Sequence, residues 1–218
     1  MKQFAIIGLG RFGSSVAQTL YMLGHDVLVV DSDAERVDEI SDYVTHAVQA
    51  DATDEGALKA LGLRNFDVAV VTIGTDIQSS ILITLLCKEL GVKHVIAKAQ
   101  NELHAKVLYK IGADKVVFPE RDMGMRVAHT LVSNNILDFI ELSPDYSMLE
   151  MAVMEDWIGY TLKDLELRNR YGINVIAIKR DNGIEISPNG NNILLSGDVL
   201  LVIGSVKDIR KLENARAD

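Results

Sequence analysis

Three glycines and an arginine within six residues, Gly8-Leu9-Gly10-Arg11-Phe12-Gly13, form the arrangement in this chain best suited to chemistry. The apolar run 4–7 leads directly into them, and a helix-like pattern (Val16, Ala17, Leu20, Leu23) leads away. A lone GxGxxG is a weak signal. A strand, a glycine turn and a helix in succession aim backbone N–H groups and a helix N-terminus at phosphate oxygens, which predicts nucleotide binding. Asp31 closes the apolar run 27–30, 18 positions past Gly13, where a carboxylate that accepts from ribose hydroxyls is expected. The alternative is that the glycines serve only a tight turn.

Arg11 lies inside the loop, and a guanidinium there can grip terminal phosphate oxygens through two parallel hydrogen bonds. An exposed arginine meeting only solvent is the other reading. Asp51-Ala52-Thr53 is expected at the end of the third strand, over the adenine side of the cleft, and Thr72-Ile73-Gly74 at the end of the fourth, passing backbone beneath the ligand. Both could equally be ordinary loops, because Thr53 and Asp76 are good helix N-caps. Lys98 ends the fifth strand and Glu120 follows the sixth, so both are expected at the same sheet edge. A carboxylate there would repel phosphates unless a divalent cation came between them; capping charge at a helix start is the alternative for Glu120. His25, His46, His94, His104 and His129 are scattered without a nucleophile or carboxylate at a triad-like spacing.

The elements that must position these residues are legible in periodicity. Short β-branched runs at 4–8, 27–31, 47–51, 68–72, 95–98 and 116–118 alternate with five helical patterns. That alternation predicts an α/β, Rossmann-like, doubly wound parallel sheet with right-handed crossovers over residues 1–119. A helix over about 121–134 follows, so 120–136 reads as a crossover helix. Residues 137–218 then carry strand-like runs at 137–142, 148–153, 174–179, 184–187 and 199–203. A short helix is expected at 162–170, and Asp181-Asn182-Gly183 marks a hairpin turn. This predicts a small α+β domain near the lower size for independent folding, which a second copy would help to stabilise.

Composition sets the outer bounds. At 218 residues with 48% hydrophobic content, the chain can bury a core of one or two domains. A formal charge of −9 argues against a nucleic-acid surface. No apolar run approaches the length of a membrane span, and the first strand begins within a few residues of Met1, so no leader and a cytoplasmic location are expected. The single cysteine, Cys87, sits in an apolar helical pattern and excludes a disulfide framework. The helix expected over 76–90 carries two apolar stripes, Ile77/Ile81/Leu85 and Leu82/Leu86/Leu90, widened by Ile83 and Cys87. One apolar face suffices for a surface helix, so the width suggests a subunit interface or burial by the C-terminal unit. Met123, Val127 and Leu131 on the next helix could likewise meet a second chain.

Taken together, residues 8–13, Asp31, Asp51-Ala52-Thr53, Lys98-Ala99-Gln100, Pro119-Glu120-Arg121-Asp122-Met123 and Tyr171-Gly172-Ile173-Asn174-Val175 resemble the regulatory subunits of bacterial Ktr/Trk potassium uptake systems, the Ktr type most closely. The resemblance covers essentially the whole chain, as an RCK N-terminal followed by an RCK C-terminal (TrkA-C) domain. It implies a cytoplasmic, non-enzymatic subunit. Intertwined dimers would build an octameric ring that docks on a membrane potassium-translocating subunit and controls it through bound ATP or ADP. By matched motif, Gly8, Gly10 and Gly13, with Phe12 between them, would hold the phosphates, Asp31 the ribose and Asp51, Ala52 and Thr53 the adenine, while Arg11 would sense the terminal phosphate. Glu120 would lie near a neighbouring subunit's nucleotide, bridged to it by Mg²⁺ or Ca²⁺. Some relatives bind cyclic di-AMP in the C-terminal domain, and Arg168, Asn174, Val175 and Pro188 occupy the similar stretch here. Two other readings stay open: an NAD-dependent oxidoreductase, because NAD or NADH suits the same fingerprint, and an interaction module with a permanently bound nucleotide.

Overall fold

The computed structural model describes residues 1–132 and 136–214. The chain divides into two compact units, Met1–Pro119 and Glu120–Asp218.

The first unit alternates β1 (Gln3–Ile7), α1 (Arg11–Met22), β2 (Asp26–Asp31), α2 (Ala34–Ile40), β3 (His46–Gln49), α3 (Glu55–Ala60), β4 (Val68–Val71), α4 (Ile77–Glu89), β5 (His94–Lys98), α5 (Glu102–Lys110) and β6 (Lys115–Val117). All six strands are parallel, in the order β3-β2-β1-β4-β5-β6. The chain winds outward from β1 in one direction and, after crossing to β4, in the other. Right-handed crossovers therefore put α1 and α2 on one face and α3, α4 and α5 on the opposite face.

Successive strand side chains fulfil that plan by alternating faces. Ile6, Val27, Val29 and Val70 pack with Ala17 and Ile40, whereas Ala5, Ile7, Leu28, Val30, Ala69 and Val71 pack with Leu58, Ile83, Cys87 and Leu108. The expected doubly wound sheet is thus observed.

On α4 the buried line is Ser80, Ile83, Thr84 and Cys87, with Leu86 beside it; Ile81 and Leu85 are half-buried and Leu82 is exposed. Part of the helix's apolar width is therefore taken up by its own core. Burial pushes the Cys87 thiol up to about 12, so almost none of it is thiolate at neutral pH. Folded protein is expected to leave a thiol-disulfide reagent such as DTNB unreacted at pH 8 over minutes, and denatured protein to react at once; fast labelling in the native state would contradict this burial.

Helix α6 (Pro119–Val132) starts on the last residue of the first unit and otherwise belongs to the second; its proline at the first position has no N–H to satisfy. The expected helix ended at Asn134, which lies outside the described residues, as does the end of the chain after residue 214. Next come β7 (Ile136–Ser143), β8 (Tyr146–Ala152), α7 (Leu162–Leu165), α8 (Leu167–Tyr171), β9 (Ile173–Arg180), β10 (Gly183–Ile186), β11 (Val199–Ser205) and α9 (Val206–Asn214). The strands form one antiparallel sheet, ordered β10-β9-β11-β8-β7, with Arg180 paired to Gly183 across a two-residue Asp181-Asn182 turn. Its core gathers Leu149, Met151, Trp157, Ile173, Ile178, Leu200 and Val202 with Leu165, Leu167, Ile209 and Leu212.

Two features depart from expectation. The single helix expected over 162–170 is two, broken at Glu166 in the left-handed region (φ 46°). Leu165 and Leu167 are both buried, yet positions two apart cannot share a helix face, so the backbone re-aims between them. Helix α9 was not anticipated; among its described residues Ile209 and Leu212 are the buried ones.

α6 is tied to the sheet it precedes. Arg126 donates from Nε and Nη2 to the two carboxylate oxygens of Asp138 on β7, and His129 stacks on Phe139 with ring centroids 4.0 Å apart. The guanidinium holds the Asp138 carboxyl below its ordinary range. Met123, Val127 and Leu131 remain exposed on the same helix.

Candidate nucleotide site

The C-terminal ends of the parallel strands carry the candidate site. Helices α2, α3, α4 and α5 open with a side-chain cap: Asp33 accepts from Glu35 N, Asp54 from Gly56 N, Asp76 from Ser79 N and Asn101 from His104 N. Asp76 is thus a cap as expected, whereas Asp54 rather than Thr53 caps α3. At α1 the cap residue is Gly10, extended and without a side chain. Its first-turn N–H groups keep their donor capacity for a ligand, beside the positive end of the helix dipole.

The remaining glycines act through close approach. Gly8 has φ +100°, and a Cβ there would lie 2.8 Å from Ile73 Cδ1; at Gly13 a Cβ would lie 2.0 Å from the Gly8 carbonyl oxygen and 2.5 Å from Thr72 Oγ1. A Cβ at Gly10 would meet nothing within 4 Å. Gly8 and Gly13 therefore shape the loop, and Gly10 keeps its outer surface open.

Thr72 completes the shaping. It is buried, and its hydroxyl donates to the carbonyl oxygens of Ile7 (3.1 Å) and Gly8, while its backbone N–H donates to Ile7 O at 2.8 Å. Its contribution is to pin the turn, with Ile73 running beneath Gly8. Beyond it, a Cβ at Gly74 would sit 3.4 Å from Lys98 Nζ, so the ammonium that ends β5 reaches across to the end of β4. Arg11 is exposed and Phe12 half-buried at the start of α1.

Asp31 ends β2, its side chain almost wholly covered. One carboxylate oxygen accepts from the Leu9 N–H inside the glycine loop and the other from Asp33 N at 2.9 Å. The carboxylate thereby fastens the glycine loop to the β2–α2 turn and keeps further lone pairs for hydroxyl donors. Asp51 Oδ1 accepts from both the backbone N–H (2.9 Å) and hydroxyl (2.6 Å) of Thr53, and these bonds hold its carboxyl below the ordinary range. Ala52 between them is buried against the sheet.

Sequence reasoning passed over Arg36 and Gln49. Arg36 on α2 pairs with Asp33 (Nε–Oδ2 3.2 Å) and stands 4.0 Å from Asp31 Oδ2; Gln49 Nε2 donates to Ser32 O. An arginine five residues after the strand-end acid was the available signal.

In the second unit, Glu120 is exposed in the first turn of α6 and Arg168 is exposed on α8. Asn174 and Val175 are consecutive on β9, so they face opposite sides of the sheet. Ser187 N donates to Ile176 O at 2.8 Å, which brings Pro188, one residue on, towards the same end of β9. Among the described residues no group of three or more His, Cys, Asp and Glu side chains could hold a metal ion, and no helix is long and apolar enough to cross a membrane.

Comparison with known proteins bears on the whole chain. Residues 4–119 match the TrkA-N domain model and residues 148–216 the TrkA-C domain model. The chain is 51% identical to Ktr system potassium uptake protein C of Bacillus subtilis, over 97% of its own length and 96% of that protein. It is 46% identical to the Ktr system potassium uptake protein A of the same organism, over 98% and 96%. Among solved structures it resembles the GsuK channel bound to NAD with a TM-score of 0.69 at 17% identity, a likeness of fold that covers 97% of this chain and 39% of that one.

Proposed function

The chain belongs to the family of Ktr-system potassium uptake proteins built from a TrkA-N and a TrkA-C domain, and from that premise we propose that it is a regulatory subunit, not an enzyme, which gates a membrane potassium-translocating subunit by binding ATP or ADP. The observation that carries this reading is the uncapped start of α1, where Gly10 leaves first-turn N–H groups open and Arg11 is exposed beside them. The α- and β-phosphates sit on the backbone donors, the ribose hydroxyls on Asp31 and the adenine beyond it towards Asp51 and Thr53. Arg11 meets the terminal phosphate, so ATP and ADP differ in what they offer it.

Gating follows from that difference. A ligand shifts a conformational equilibrium only by the ratio of its affinities for the two states. Two nucleotides that share every contact but one can therefore stabilise different states through that contact. Glu120 would lie near a neighbouring subunit's nucleotide, where its carboxylate would help to hold a Mg²⁺ or Ca²⁺ ion against the phosphates, a role that needs few protein groups. In this reading the subunits form an octameric ring of dimers on the cytoplasmic face of the membrane, and Arg168, Asn174, Val175 and Pro188 contribute to a second site for cyclic di-AMP.

Calorimetry on the purified protein tests the nucleotide assignment. ATP and ADP are expected to bind, and Arg11→Ala to weaken ATP by roughly tenfold to a hundredfold, the range of a charge-assisted pair, with ADP far less affected. Equal losses for both nucleotides would remove Arg11 from its role. Tight NADH binding without any for ATP or ADP would replace the reading by a dinucleotide one.

A further inference from the structure

We propose that Arg36 forms one wall of the base subsite, its guanidinium plane stacking on the purine of a nucleotide held at Asp31; the inference rests on the nucleotide reading above. Arg36 lies in the first turn of α2, and two carboxylates stand beside its guanidinium: Asp33 Oδ2 lies 3.2 Å from Nε, and Asp31 Oδ2 lies 4.0 Å from Nη1. Asp31 is fixed in turn by Leu9 N and Asp33 N. Tethered beside the strand-end acid by this double ion pair, the Arg36 side chain still stays about half exposed, so guanidinium surface remains for contact with a ligand. A flat π system fits such a surface through cation–π attraction and stacking.

The same arrangement discriminates against another ligand class. An arginine near the strand-end acid commonly accepts a 2′-phosphate. Here Asp31 and Asp33 both stand beside the guanidinium, so a phosphate approaching it meets two carboxylates as well. The site therefore takes a base above a free 2′-hydroxyl and rejects a 2′-phosphorylated nucleotide. Gln49 at the end of β3 donates to Ser32 O at 3.1 Å and so braces the β2–α2 turn from which Arg36 starts.

The test uses the full-length protein with ADP, 2′-deoxy-ADP and 2′-phospho-ADP by calorimetry. Arg36→Ala is expected to weaken ADP and 2′-deoxy-ADP alike, by about tenfold, and to leave the ATP-to-ADP affinity ratio unchanged. If the loss vanishes on 2′-deoxy-ADP, Arg36 acts only by positioning Asp31 and the stacking assignment is overturned. Wild-type protein that binds 2′-phospho-ADP as tightly as ADP overturns it too, as does unchanged ADP affinity in the variant. Failure of the nucleotide reading itself is recognised separately, because wild-type protein then binds none of these ligands. Arg36→Lys keeps the charge and loses the plane, and is expected to recover only part of the affinity.

Discussion

Gly13→Ala is expected to lower the melting temperature of the first unit by about 10 °C or more and to abolish nucleotide binding. The added methyl would stand 2.0 Å from the Gly8 carbonyl oxygen and 2.5 Å from Thr72 Oγ1. No rotamer change relieves a clash with backbone, so either α1 moves away from β1 or the glycine loop opens. Overpacking of this kind costs about 3 kcal/mol or more, and each kcal/mol is worth roughly 4 °C in a unit of this size. Gly10→Ala is the control, since its Cβ meets nothing within 4 Å. That variant loses at most about 1 kcal/mol as a poorer cap, yet carries a methyl where phosphate must approach. Calorimetric melting and nucleotide titration of both proteins separate a residue that shapes the loop from one that faces the ligand. A Gly13→Ala protein with unchanged melting would contradict the packing described above.

Arg180→Met is expected to destabilise the second unit by about 3–5 kcal/mol. Arg180 donates from Nε to Asp198 Oδ1 (3.0 Å) and from Nη2 to Asp198 Oδ2 (3.2 Å), and it also reaches Glu185 and the Ile193 carbonyl. The Asp198 side chain is 4% exposed, and its Oδ2 also accepts from Leu195 N. Removing the guanidinium leaves a buried carboxylate without its counter-charge, which is where losses of that size arise. Arg180→Met combined with Asp198→Asn removes the stranded charge and is expected to recover more than half of the loss. The chain's single tryptophan, Trp157, lies buried in this unit's core, so denaturant titration followed by its fluorescence reads the effect. A loss below 1 kcal/mol would show that the pair is dispensable.

What could be read from the sequence was what neighbouring residues decide together. Apolar runs alternating with helical patterns specify β1 to β6, and once the strand order is known, right-handed crossovers place α1 to α5 on their faces. The glycine spacing is legible because each glycine answers a steric demand within its own turn. Less visible were residues whose partners are distant in sequence. Thr72 reads as a strand-end ligand contact until its hydroxyl is found on Ile7 O and Gly8 O, 65 and 64 residues away. Arg36 escapes notice for another reason: its partners are only five and three residues away, but spacing alone does not say that Asp31 and Asp33 both turn towards it. In the second unit, Glu166 breaks a helix because tertiary burial of Leu165 and Leu167 overrides local propensity, and α9 has too few apolar positions to declare its period.

The attachment of α6 to β7 gives this helix the mechanics of a lever. Fourteen residues rise about 21 Å, with Glu120 near one end and the Arg126–Asp138 and His129–Phe139 contacts in the other half. At that length, displacing the first turn sideways by about 1 Å while the far end holds tilts the helix axis by about 3°. A bidentate ion pair and a stacked ring resist sliding and twisting, so β7 receives such a movement as a rotation. Length is what converts a shift comparable to a bond length into a change of angle, and the clamp is where β7 would feel it.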